Sequence, residues 1–153
     1  MTAALYEQDV YRWSQQQAQA LRKAASAGSN LPVDWENVAE EIESLGNEQW
    51  HALSSKIGIV IEHLLKLEAS PAEDPKRKWK ATIRRARDAI ADRLETSPSL
   101  RRKVPDLIAK NLPRAQQRVR GNLEDYGEQP NIDLERRSYT EEQVLGDWFP
   151  DNT

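Results

Sequence analysis

Apolar residues recur along the middle of the chain with a helical period. Trp35, Val38, Ile42, Leu45, Leu53, Ile57, Val60, Ile61, Leu64 and Leu67 step mostly by three and four, the spacing of one buried helical face. The run from Asp34 to Glu68 holds no proline and predicts one long central helix. Asp34 suits its N-cap, and Glu36 stands in the first turn, where the helix dipole favours negative charge. A straight helix of that length would span ~50 Å, whereas a compact globule of this chain length is about 40 Å across. A kink or break is therefore expected, at Gly46 rather than at Gly58.

The flanking pattern adds further helices. Residues 4–26 carry Tyr6, Val10, Trp13, Leu21 and Ala24 along one stripe, ending at Gly28, Ser29, Asn30 and Pro32. After a loop at SPAEDP, residues 76–96 place Trp79, Ile83, Ala86, Ile90 and Leu94 in a narrow apolar stripe between dense charges. Ser97 and Pro98 mark the next start. Pro105 and Pro113 then predict two short helices, over 99–111 and 113–126. A polar connector covers 127–137, and Ser138 with Glu141 has the spacing of a capping box for a short helix through Leu145. Trp148 and Phe149, adjacent in the tail GDWFPDNT, are too apolar to leave in water and are expected to dock. No strand-like alternation appears. The expected class is all-α: a small helical bundle around the long central helix, with a short C-terminal helix and a docked aromatic tail.

Composition changes this picture little. The 153 residues suit a single helical domain, and with 38% hydrophobic residues the core must be economical. Five Trp against one Phe and one Met point to indole rings in the seams between helices. The absence of cysteine excludes disulfides and thiolate chemistry. The first residues lack the features of a signal peptide, and no run has the length of a membrane span. A cytoplasmic protein without membrane contact is expected.

Charge changes it more. Residues 1–75 carry 5 basic and 12 acidic side chains, residues 76–120 carry 15 and 4, and residues 121–153 carry 2 and 9. The overall net charge of −3 thus conceals blocks of −7, +11 and −7. Such blocks either pair internally or meet partners.

Three constellations have chemical potential. Glu36, Glu40 and Glu43 share a helical face, as carboxylates do in di-metal bundles. His63, however, is ~30 Å from Glu43 along a continuous helix, and there is no Glu-x-x-His pair. A solvated acidic face is the better reading, with no metal or other cofactor. Glu62 beside His63 suggests an acid–base couple, but neighbours on a helix diverge by about 100°, so a structural histidine is favoured. The basic block is the serious candidate. Lys80, Arg84, Arg85 and Arg87 could neutralise phosphates, with Trp79 stacking on a base. Yet Trp79 lies on the apolar stripe, and the acids of 34–48 could pair with this block. Internal pairing or a protein partner stands ahead of nucleic acid.

Six stretches together carry a resemblance: YEQDVYRW, DWENVAEEIESLG, EHLLKLE, WKATIRRAR, SPSL and YTEEQVLGDWFP. In this order, over nearly the whole length, they resemble the bacterial domain-of-unknown-function family twenty-nine, common in cyanobacteria. The resemblance implies a helical fold and supplies no catalytic residues. GNEQW departs from the arginine-rich stretch associated with that position. The expected function is a non-catalytic interaction or scaffold module, with a protein partner or a second copy. Nucleic-acid binding through the basic block is the alternative. An enzyme or metal site around Glu40, Glu43 and His63 comes third.

Overall fold

The structure, a computed structural model, describes residues 2–151. Met1 and the last two residues of the GDWFPDNT tail lie outside them. The described residues are helical with no strand: α1 (Thr2–Gln8), α2 (Val10–Ser26), α3 (Trp35–Ala69), α4 (Lys76–Thr96), a 3-10 segment (Pro98–Lys103), α5 (Val104–Asp125), a second 3-10 turn (Leu134–Arg136) and α6 (Glu141–Leu145). The chain is all-α. It divides into two compact units, Met1–Ala52 with Asp92–Arg101, and Leu53–Ala91 with Arg102–Thr153.

In the first unit, the single helix expected over 4–26 is interrupted at Asp9. Its extended backbone makes it the N-cap of α2, accepting from Arg12 N. The same carboxylate accepts from Ser99 N at 2.7 Å and Ser99 Oγ at 2.9 Å. Tyr11 N donates to Ser97 Oγ at 3.1 Å, so three short polar side chains, Asp9, Ser97 and Ser99, fasten the start of α2 to the segment after α4. Capping outweighs propensity at this point.

The break expected at Gly46 is absent, since α3 runs unbroken for 35 residues. Gly46 serves close approach instead. A Cβ there would collide with Ser14 Oγ and come within 3.1 Å of Ser14 Cβ. The buried face of this half of α3 is therefore centred on Ala39 and Gly46. Val38 and Leu45, expected in the core, are left 38% and 48% exposed.

The second unit holds the larger core: Leu53, Ile57, Val60, Ile61, Leu64 and Leu65 of α3 are fully buried, with Ile83, Val119, Leu134 and Val144. Here the sequence stripe and the buried face coincide. Gly58 admits Asn111 of α5, whose Nδ2 donates to Ser54 O, Ser54 Oγ and Leu107 O at 2.8–3.2 Å. Pro113 sits inside α5 rather than starting a helix. Buried Leu107, Ile108, Ala115, Val119 and Leu123 continue one face across it, and that burial offsets the lost hydrogen bond. The cap of α6 is Thr140 with Gln143, in a complete capping box, rather than Ser138 with Glu141.

The aromatic tail docks as expected. The Phe149 ring lies 5.0 Å from Arg87 Cζ, 5.1 Å from Arg84 Cζ and 5.7 Å from Lys80 Nζ. Trp148 packs against Tyr139 with ring centroids 6.1 Å apart.

Candidate functional site

The basic residues of α4 do not form a uniform surface. Arg87 is buried, and its guanidinium donates to three backbone carbonyls: Val144 O at 2.9 Å, Gln143 O at 2.7 Å and Trp148 O at 2.7 Å. These are C-terminal carbonyls of α6 and the segment after it, which a planar, five-donor cation satisfies well. Burial lowers the Arg87 pKa from its ordinary value, without making it neutral at any physiological pH. Arg87 is thus the clamp that holds the tail, a correction to its candidacy as a phosphate contact. Lys80 and Arg84 stand over Phe149, the first half-buried and the second exposed. Arg85 projects into solvent.

The acidic residues divide in a similar way. Glu36 and Glu43 converge on Arg22 of α2, whose Nε lies 3.3 Å from Glu36 and whose Nη1 bonds Glu43. Their first partner is therefore a neighbouring helix of the same unit and not the basic block. Glu40 is exposed. Along this edge of α3, exposed Asp34, Glu41 and Glu48 flank Val38 and Leu45. Leu31 and Val33, also exposed, precede it in the loop. Among the described residues no group of three potential metal ligands lies together, and the candidates Glu40 and Glu43 belong to one unit while His63 belongs to the other.

His63 lines a cleft of about 710 Å³ in the second unit. The last turns of α3 and α5, the first turns of α4 and the loop before it form the walls. His63 Nδ1 lies 2.8 Å from Ile59 O. A carbonyl only accepts, so Nδ1 carries the proton and Nε2 keeps its lone pair. Burial is the main cause lowering the imidazole pKa, with Lys66 adding to it and the Ile59 bond and Glu62 opposing it. His63 is a neutral acceptor near pH 7, not the acid of a charged couple. Glu62 is 3.8 Å from both His63 Nδ1 and Lys66 Nζ, and 4.0 Å from Arg118 Nη1.

Sequence reasoning missed the polar cluster around Glu68. Its carboxylate accepts from Arg137 Nε at 2.9 Å and from Tyr139 Oη at 2.8 Å, while Arg137 stacks over the Tyr139 and Trp148 rings. Burial, then the Glu68 charge, raises the Tyr139 pKa well above its ordinary value, so the phenol stays a donor. The signal available was Arg137 amid an acidic segment, but nothing in the spacing joins it to a residue 69 positions away.

Comparison with known proteins agrees with this helical architecture. No match to the chain was found among curated proteins. The fold is similar to that of an alpha-helical protein of unknown function from Rhodospirillum rubrum, with a TM-score of 0.76 and 21% sequence identity over 92% of this chain and 88% of that one. At that identity the likeness is one of fold. No helix among the described residues is long and apolar enough to cross a membrane. The model of the family described as domain of unknown function DUF29 matches residues 5–149, and the chain belongs to that family.

Proposed function

We propose that this protein is a non-catalytic helical interaction module that receives a basic amphipathic helix of a partner protein along the Val38–Leu45 edge of α3. One observation carries the reading: two apolar residues seven positions apart, hence on one helical edge, are exposed beside three acids, Asp34, Glu41 and Glu48. A single exposed apolar residue is ordinary. A row of them with a rim of one charge matches the anchors and complementary charges by which a helix is held in a groove. The cysteine-free composition suits action in the reducing cytoplasm.

The test is calorimetric titration with a synthetic helix bearing leucines at i and i+7 and lysines beside them. Binding should be micromolar and fall about tenfold or more in Val38→Ser/Leu45→Ser, since full burial of such a side chain contributes about 1.5–3 kcal/mol and less than half of each remains exposed to be covered. Glu41→Lys/Glu48→Lys should weaken it further at low salt than at high salt. No binding, or binding indifferent to these substitutions, sinks the proposal. Concentration-dependent self-association abolished by the same serines would assign the edge to a second copy instead.

A further inference from the structure

The His63 cleft is independent of that edge and has the makings of a small-molecule site. Its volume falls within the range of ligand cavities. Buried Val119 and Leu123 form an apolar floor, and Trp79, half-buried, forms a wall. Tyr126 stands at the mouth, four-fifths exposed. Two aromatic faces over an aliphatic floor suit a flat ring.

The polar groups narrow the choice. His63 Nε2 has a lone pair, and among the described residues no protein donor reaches it. That nitrogen is not enclosed, since among the described residues only Trp35 Nε1 is a buried side-chain polar atom without a partner, so water or the O–H of a ligand in the cleft can donate to it. One turn along α3, Lys66 has among the described residues the long 3.8 Å contact with Glu62 as its ion pair, and Lys78, beside Trp79, is exposed. Two acids also border the cleft. Glu128 accepts from Ser70 Oγ at 3.0 Å and is engaged there, and Asp74 is exposed on the loop. The two cations and two acids of the lining balance in number, but the cations stand on the helical walls that carry His63 and Trp79, so a carboxylate placed against those walls meets Lys66 and Lys78.

We propose that this cleft binds a planar aromatic acid, its carboxylate accepting from Lys66 and Lys78, its ring against Trp79 over Leu123, and a hydroxyl on the far side of the ring donating to His63 Nε2. The site is a binding site with no bond made or broken.

The experiment is calorimetric titration of the full chain with 4-hydroxybenzoate, its methyl ester and benzoate. 4-Hydroxybenzoate should bind saturably at one site, with the ester and benzoate each weaker by about tenfold. Lys78→Met should reduce the preference for acid over ester to what Lys66 alone supplies, and His63→Leu should remove the preference for the hydroxylated ring. Lys78 is on the surface, so that variant tests the proposal even where His63→Leu fails to fold. Absence of saturable binding to the unmodified protein, or preferences unchanged in Lys78→Met, overturns it. Neither result bears on the Val38–Leu45 edge, which the helix titration reads separately.

Discussion

Arg87 and His63 show how much a residue's role depends on where its donors go. In sequence, Arg87 is one cation among seven between Lys76 and Arg87. Its position four residues after Ile83 and three before Ile90, on the margin of the apolar stripe, was the only hint of burial. Which carbonyls it meets, 56 to 61 residues away, no local pattern tells. Arg87→Met keeps the aliphatic stem and removes the donors. It should lower stability by about 3 kcal/mol, because three acceptors lose a charged partner. Arg87→Lys should recover less than half, since a point charge cannot serve three carbonyls in a plane. Urea denaturation midpoints decide both. His63 makes the complementary case. Its pKa is lower folded than unfolded, so below about pH 6.5 the unfolded chain takes up a proton that the folded chain refuses. Stability should therefore fall as pH drops through that region and level off below the folded pKa. Comparing urea midpoints at about pH 7.5 and 5.5 in the wild type and in His63→Leu isolates this contribution. A His63 imidazole titrating by NMR at or above about 6.5, the ordinary histidine value, would contradict it.

Among the elements, α4 was legible to the residue, because charge density and a narrow stripe left one helical face available. The second half of α3 was equally clear. Its first half was not, because apolar period alone cannot distinguish the face centred on Val38 and Leu45 from the face centred on Ala39 and Gly46. Small residues decide that choice by letting α2 approach, and hydrophobicity scales barely register them. Gly46→Ala is the direct check. In a free helix the change would stabilise by about 1 kcal/mol. Here the new methyl meets buried Ser14, and overpacking should cost about 1–3 kcal/mol in its place. Ser14→Ala in the same chain removes the hydroxyl contact but leaves Cβ facing Cβ, so part of the loss should return. A Gly46→Ala variant more stable than the wild type would mean that α2 does not rest on this glycine. Proline at 113 misled in the opposite direction: its local cost is real, but a continuous buried face in α5 overrides it.

Over the whole chain, segregated charge was the most conspicuous sequence signal, and it resolves into several local arrangements rather than one. Arg22 takes Glu36 and Glu43 of early α3, Arg120 meets Glu135 at 2.6 Å, and Arg137 meets Glu68. Counting charges by block finds the imbalance but not the partners, because each pair joins particular turns. The nucleic-acid reading suffers most from this. Of its four named cations, Arg87 is spent on carbonyls, and Lys80 and Arg84 are drawn to Phe149, leaving Arg85 to project. Charge reversal at Arg87 would report a detached tail rather than a lost phosphate contact, so Arg85→Glu with Arg77→Glu is the cleaner variant. Fluorescence anisotropy with short labelled RNA and DNA across salt should then show weak binding. About two phosphate contacts imply a logarithmic salt slope no steeper than about −1.5 on single strands. A slope near −4, flattened by those two reversals, would require several cations acting together on phosphates. That outcome would restore the basic block as an interface. A shallow slope leaves α4 as the helix that holds the tail through Arg87.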